Sequence, residues 1–459
     1  MAGRAAKRAA LLIVFAFGAA SDAPGDEPAS VRRIGASERI CQLTGETDWL
    51  TGRPTAAKTL SAFGLDATDL GYPVEHQGKL FLLFGDSWPT RLAPGEAAEA
   101  PPNDAVGMVA RRAPPSDDGK CLELQIQEKP GGTNTFAPAT VTGPNKIDQG
   151  FFNVPSGGVS VGGDLYAFFW THHCAEPQPL SPSPDEPLAR PPANDKCRED
   201  DRRNSIGSSV LASSEDEART FRLIAPAPIG FIYSIAVVAQ DEDQVPDGQR
   251  RRIFIFGAPR YRASVTYLAE ASPETFADPK SWRFFVGRNA EGQPQWASYR
   301  DWVGAPGAGR GWRPPGAPEI FADETGGESC IGEFSISWNR PLNAWLMLYN
   351  CRTEIEARLA PAPWGPWSWP TGILGPSDNV FCRLLMSPGG CGDRRDFWPD
   401  RRPAGQLVAG GFYAPFVLNR YTTATGDGKD RRATIYWLVS TWNPYEVAVM
   451  RTILGRATD

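Results

Sequence analysis

Histidine is scarce: only His76, His172 and His173 occur in 459 residues. Schemes that need several imidazoles therefore have little to draw on, and the adjacent pair would point apart in an extended chain. None of the eight cysteines forms a C-x-x-C pair, so the usual zinc spacings are absent. Beyond the N-terminus no apolar run approaches the roughly 18 residues of a membrane span, and no long helical pattern appears. Positive charge is not in excess either. The net charge is −6, and about −9 once Arg4, Lys7 and Arg8 are removed, which does not suit a nucleic-acid surface. A neutral polymer remains compatible.

Those three cations precede an apolar run from Ala9 to about Ala20 and then small residues, the pattern of a secretory signal over residues 1–22. The mature protein is expected to be secreted or periplasmic, with an extension over 23–55 and one domain over 56–459. An even cysteine count behind an export signal predicts disulfides. Closeness in the chain suggests Cys174 with Cys197, Cys382 with Cys391 and Cys330 with Cys351, leaving Cys41 for Cys121. The 47 glycines, 43 prolines and 15 tryptophans favour a loop-rich all-β protein.

Five segments repeat one pattern, a short strand, a polar or glycine turn and a strongly apolar strand: "DLGYPVEHQGKLFLLFGD", "NVPSGGVSVGGDLYAFFW", "YSIAVVAQDEDQVPDGQRRRIFIFGA", "EFSISWNRPLNAWLMLYN" and "YAPFVLNRYTTATGDGKDRRATIYWLVST". With Leu80, Leu165, Ile253, Trp345 and Ile435 as equivalent points, the intervals are 85, 88, 92 and 90 residues. A further alternating strand follows each hairpin. Five near-equal units of three or four strands predict a five-bladed β-propeller, whereas two β-sandwiches would not require the even spacing. The Pro- and Gly-rich stretches 175–202 and 297–328 read as long inserted loops.

In a propeller the first strand of each blade lines the channel, so the strand starts ring one mouth. Those starts are Asp69, Asn153, Tyr233, Glu333 and Tyr413. Asp86, at the far end of an antiparallel second strand, returns to the same mouth. Trp88, Trp170 and Trp442 follow strands ending near that rim and are candidate stacking surfaces for a sugar; Arg262 and Asn443 join Asn153, Tyr233 and Tyr413 as candidate hydroxyl contacts.

The stretches "TDLGYPVEHQGKLFLLFGDSW", "NVPSGGVSVGGDLYAFF", "GEFSISWNRPLNAWLMLYN", "ARLAPAPWGPWS", "FYAPFVLNRY" and "LVSTWNPYEVAVMRT" resemble the bacterial domain-of-unknown-function 4185 proteins, some of which are glycoside hydrolases that cut D-arabinan internally. The resemblance covers about residues 60 to 455, apart from the two insertions. It implies a propeller like that of five-bladed arabinanases, with an aspartate on the first inner strand and a glutamate on a later one. It also implies D-arabinan of arabinogalactan or lipoarabinomannan as substrate, no cofactor, and room for a structural Ca²⁺, although no D-x-D-x-D-G loop is present.

Glycoside cleavage needs one carboxylic acid and one carboxylate. Asp69 is the expected base or nucleophile and Glu333 the expected proton donor; Asp86 either partners Asp69 or sets its neighbour's ionisation. The expected protein is a monomeric hydrolase, and the alternative is a propeller that binds carbohydrate without cleaving it. An envelope scaffold would instead need a large exposed apolar patch. Gly158 to Gly162 matches G-x-S-x-G, but a second strand follows where the serine-hydrolase elbow needs a helix. The run from Gly304 to Gly311 lacks the lysine and serine of a phosphate loop.

Overall fold

A computed structural model describes residues 30–89, 104–110, 113–115, 121–142, 153–172, 206–228, 230–241, 244–245, 250–259, 261–262, 264–304, 320, 324–325, 328–378, 380–385 and 410–457. Five antiparallel sheets form the blades of a propeller. Blade 1 runs outward through Ala67–His76, Lys79–Trp88, Val106–Val109 and Leu124–Ile126. Blade 2 runs through Asn153–Val161, Asp164–His172, Ile206–Ser214 and Thr220–Pro226, with Thr140–Thr142 parallel on its outer edge. Blade 3 uses Ser234–Ala239, Ile253–Ala258, Tyr267–Ala271, Arg283–Arg288 and Pro294–Ser298. Blade 4 uses Ile331–Asn339, Ala344–Cys351, Glu354–Ala360 and Thr371–Leu374, and blade 5 uses Gly411–Val417, Arg432–Trp442 and Glu446–Arg456. The five first strands stand side by side around the axis, the fifth against the first. All five equivalent points of the sequence repeat fall in second strands.

Local chemistry makes the hairpins. His76 pairs with Lys79 across Gln77 and Gly78, both at positive φ, the backbone of a tight turn whose twist matches the strands. The strongly apolar second strands are buried on both faces because each blade packs between two others. Aromatic edges meet across the boundaries: Tyr72 and Phe416 join blades 1 and 5 at 5.0 Å, and Phe254 and Trp345 join blades 3 and 4 at 5.6 Å. Such contacts are worth about 0.5–1.5 kcal/mol each beyond the area they bury. Gly157 lets the inner strands of blades 2 and 3 approach closely, since a Cβ there would lie 2.1 Å from the Ile235 carbonyl oxygen.

Two expected boundaries move. Residues 31–42, expected to precede the domain, supply Val31–Arg33 and Glu38–Gln42 as outer strands on Glu446–Arg456, so both ends of the described chain complete blade 5. Cys41–Cys121 then ties this closure to the outer edge of blade 1. The insertion expected from residue 297 begins as core: Trp302 is buried and stacks on Phe284 at 4.9 Å. Cys330–Cys351 closes the first hairpin of blade 4. The Cys174–Cys197 and Cys382–Cys391 pairings, residues 1–22, the insertion 175–202 and residues 305–319 lie outside the described residues. No helix among the described residues is long and apolar enough to cross a membrane.

Candidate active site

β-Bulges shape the mouth. The ladder slips by one residue near the start of four first strands: between Leu70 and Tyr72, Pro155 and Gly157, Ile331 and Phe334, and Tyr413 and Phe416. A bulge bends its strand and re-aims the neighbouring side chains. The result is a recess lined by Asp69, Asp86, Glu333, Tyr233, Arg262 and Tyr413, together with Trp170, Tyr261, Trp442 and Tyr445. It brings together residues up to 376 positions apart in the chain.

Asp69 is buried. Its Oδ2 accepts hydrogen bonds from the hydroxyls of Tyr413 and Tyr445, each at 2.7 Å. Its Oδ1 has no hydrogen-bond partner among the described residues. Burial pushes the Asp69 carboxyl up to about 6, against the downward pull of the two tyrosines; Glu333 adds to the rise and Arg262 opposes it. Tyr413 and Tyr445 are themselves pushed well above the usual phenol range by burial and then by the Asp69 charge, so they remain donors. Tyr445 also donates to Oδ2 of Asp86 at 3.3 Å. The two Oδ2 atoms therefore lie no more than about 6 Å apart, the limit reached if the two bonds pointed in opposite directions.

Glu333 is held differently. Arg262 donates through Nε to Oε1 at 2.9 Å and to Oε2 at 3.2 Å, and through Nη2 to Oε1 at 2.8 Å; the Tyr233 hydroxyl also donates to Oε1. Arg262 is backed by two aromatic faces, with its guanidinium carbon 4.4 Å from the Tyr413 ring centre and 4.9 Å from that of Tyr261. Both Glu333 oxygens thus accept hydrogen bonds from Arg262, with Tyr233 adding one to Oε1. The expected division of labour, with Glu333 as proton donor and Asp69 as base, does not follow from this geometry. Asp69 has the raised carboxyl and the free oxygen.

Three expected contacts sit elsewhere or outside the described side chains. Trp88 packs against Ala67 and Tyr445 and does not line the recess, because two residues, Asp86 and Ser87, oppose Thr68 and interrupt the strand's alternation. Asn443 is buried at positive φ in the turn that delivers Tyr445, so its part in forming the recess is to shape that turn. Asn153 begins the first strand of blade 2, but its side chain lies outside the described residues, and Pro155 and Ser156 line the recess instead. Tyr445 and Tyr261 were not anticipated. Their only sequence signal is position, one in the turn after Trp442 and the other next to Arg262.

Among the described residues no group of three or more His, Cys, Asp or Glu is placed to hold a metal ion. Ser160 of the G-x-S-x-G match does meet a histidine, His76 Nδ1 at 2.8 Å, but in a regular ladder opposite Leu165 rather than at a strand-to-helix turn.

The class defined by these features is a five-bladed propeller with a carboxylate-bearing aromatic mouth. The sequence pattern of the family described as "Domain of unknown function (DUF4185)" matches residues 205–451, and the chain belongs to that family. No curated protein matches it significantly. Among solved structures, the GH43_1 enzyme from Xanthomonas citri complexed with xylotriose is 13% identical over 88% of this chain and 94% of its own, with a TM-score of 0.35. The native arabinanase of Bacillus subtilis is 10% identical over 85% and 95%, with a TM-score of 0.32. An N-acetylgalactosamine deacetylase from F. plautii is 10% identical over 91% and 95%, with a TM-score of 0.37. Likeness at this level says nothing about chemistry.

Proposed function

We propose that the protein is an exported glycoside hydrolase that cleaves within a furanose polysaccharide, the D-arabinan of envelope arabinogalactan or lipoarabinomannan. One observation carries this reading: Asp69 and Asp86 share the Tyr445 hydroxyl in a recess walled by aromatic rings, so two carboxyl groups with unlike surroundings face one space. Unlike surroundings let one carboxyl keep a proton while the other stays charged. Asp69 is the acid/base: with its carboxyl near 6 it can give a proton to the leaving oxygen and take one back from water. Asp86, less buried than Asp69, is the nucleophile. Glu333 supports the raised Asp69 by charge, and Arg262, a third exposed along its side chain, offers donors to substrate hydroxyls. Trp170 and Tyr233, 6.1 Å apart, and Trp442 supply faces for sugar rings.

Family membership and the resemblance to D-arabinan-cleaving members support the substrate. The apolar run within residues 1–22 and the two disulfides support export. The test is incubation of the purified protein with arabinogalactan, lipoarabinomannan and plant L-arabinan, alongside Asp69→Asn. Oligosaccharides released from the first two by wild type alone are the expected result. Binding without products from any of the three would make the protein a carbohydrate-binding module, and equal products from both proteins would remove Asp69 from its role.

A further inference from the structure

The end of blade 3 that faces away from the recess carries a second concentration of charge. Ser234, which lines the recess, pairs with Ala258, so Ala239 and its partner Ile253 mark the opposite end of the sheet. There Arg250, Arg251 and Arg252, just before the second strand, and Arg283, opening the fourth, line one concavity with Glu270. Four guanidiniums against one carboxylate reverse the sign of a chain whose net charge is −6.

The arginines are held in place. Glu270 is 3% exposed, and each of its oxygens is taken by a different arginine: Arg252 Nη1 donates to Oε2 at 3.0 Å, and Arg283 Nη2 donates to Oε1. Arg283 also lies over the Trp296 ring, 5.9 Å from its centre. The buried carboxylate thus fixes two guanidiniums whose side chains stay partly exposed, Arg283 more than half so. Arg251 Nε donates to the Gln240 carbonyl at 2.5 Å, and Gln240 Oε1 accepts the Arg252 amide at 2.9 Å, which ties the run of arginines to the neighbouring strand. Arg250 is exposed, and among the described residues no hydrogen bond or ion pair holds it. On the same wall Ser272 Oγ and Thr275 Oγ1 lie 3.1 Å apart; one hydrogen joins them and the other is left to give. Asp241, in the same hairpin as the three arginines, is held by Arg340 of blade 4 at 2.8 Å, and residues 242–243 and 246–249 of that hairpin lie outside the described residues.

We propose that this concavity is a binding site for a phosphate group, separate from the recess and independent of the function assigned to it. Guanidinium forks match phosphate oxygens in shape, and an arginine surplus of three over the lining carboxylate suits a dianion better than a single carboxylate. Glu270 serves as the splint that keeps two of the forks presented while the site is empty.

The test is calorimetric titration with inorganic phosphate and with glucose 6-phosphate at physiological salt, which screens loose accumulation of ions at the surface. Wild type should bind phosphate saturably at one site, and Arg283→Gln should weaken that binding roughly tenfold, the loss of a hydrogen-bonded charge. Arg250→Gln removes a side chain without an internal partner, so it should weaken phosphate binding several-fold at unchanged Tm, an effect that a purely structural role of the arginines does not produce. Tighter binding of glucose 6-phosphate than of phosphate supports the site with a phosphorylated glycan as its ligand, and equal binding supports it with the free ion. No saturable binding by wild type up to about 10 mM, a concentration at which even weak specific sites fill, overturns the proposal, as does undiminished binding in both variants. Should Arg283→Gln fail to fold because Glu270 loses a cation, Arg250→Gln decides. Loss of glycan cleavage in wild type would remove the hydrolase reading and leave this titration unaffected.

Discussion

The hydroxyl of Tyr445, in the last hairpin of the chain, donates to Asp69, in the first strand of blade 1, at 2.7 Å. The closure of the ring is thereby written into the site, because blade 5 sets the ionisation of a carboxyl on blade 1. Tyr445→Phe removes one of two hydrogen bonds that favour the Asp69 carboxylate. A bond to a charged group is worth about 1.5–3 kcal/mol, so the Asp69 carboxyl should rise by roughly one to two pH units. If protonated Asp69 is the active form, activity falls as pH rises through about 6 in wild type and at correspondingly higher pH in the variant. The pH dependence of kcat/KM measures this, and an unchanged alkaline limb would detach Tyr445 from Asp69.

Arg262 and Glu333 give the same limb two opposite pushes. Arg262 lowers the Asp69 carboxyl and Glu333 raises it, so Arg262→Met should move the limb up and Glu333→Gln should move it down. Arg262→Met also leaves a buried carboxylate without its cation. That loss costs toward the lower end of about 3–5 kcal/mol, since Arg262 is a third exposed. The double variant should regain much of the lost Tm because glutamine needs no counter-charge. Additive losses in a denaturation cycle would show that the pair is not a unit.

The fold was legible because hairpins repeat at near-constant intervals, and Asp69, Glu333 and Tyr413 were legible because each stands near the start of a first strand. Trp88 was misread because strict alternation places it with Asp86, and the extra residue of a bulge leaves no mark in the hydrophobic pattern. Tyr445 and Tyr261 lie in connections, where no period says which way a side chain points. The pairing of residues 31–42 with 446–456 spans about 400 positions and has no local signal. Roles were hardest to read. Which carboxyl keeps a proton depends on the donors gathered around it, and Tyr445, which donates to Asp69, and the fork that Arg262 makes on Glu333 appear only when the blades close.

Gly85 faces Asp69 across the first hairpin. A Cβ there would lie 2.7 Å from Asp69 Oδ1, 2.8 Å from Leu70 Cδ1 and 2.9 Å from Val154 Cγ1. Gly85→Ala should destabilise the fold by about 1–3 kcal/mol through overpacking and should lower kcat more than it raises KM, because Asp69 must move. Wild-type kcat at a reduced Tm would show that Leu70 and Val154 yield while Asp69 stays in place.

Asp69 also costs stability. Its folded value of about 6 lies above the ordinary 3.8, so the native state binds the proton more tightly than the unfolded chain does. The stabilising contribution is complete below about 4 and is lost as pH rises through 6, about 3 kcal/mol in all. Asp69→Asn, neutral at every pH, should therefore melt at a higher temperature than wild type at pH 8 and show no such gain at pH 4. A gain that does not vary with pH would mean that the effect is packing rather than charge.

The separation of Asp69 and Asp86 bears on stereochemistry. Retaining glycosidases hold their two carboxyl groups about 5–5.5 Å apart, and inverting ones about 6.5–9.5 Å apart to admit water between carboxylate and sugar. The shared Tyr445 hydroxyl limits the Oδ2 pair here to about 6 Å, short of the inverting range, so retention with Asp86 as the nucleophile is the expected outcome. The first-formed reducing end, read by proton NMR before it mutarotates, should keep the configuration of the linkage cleaved, and added methanol should be glycosylated with that same configuration. An inverted first product would take the nucleophile's role from Asp86 and assign the second carboxylate to Glu333 on the far blade.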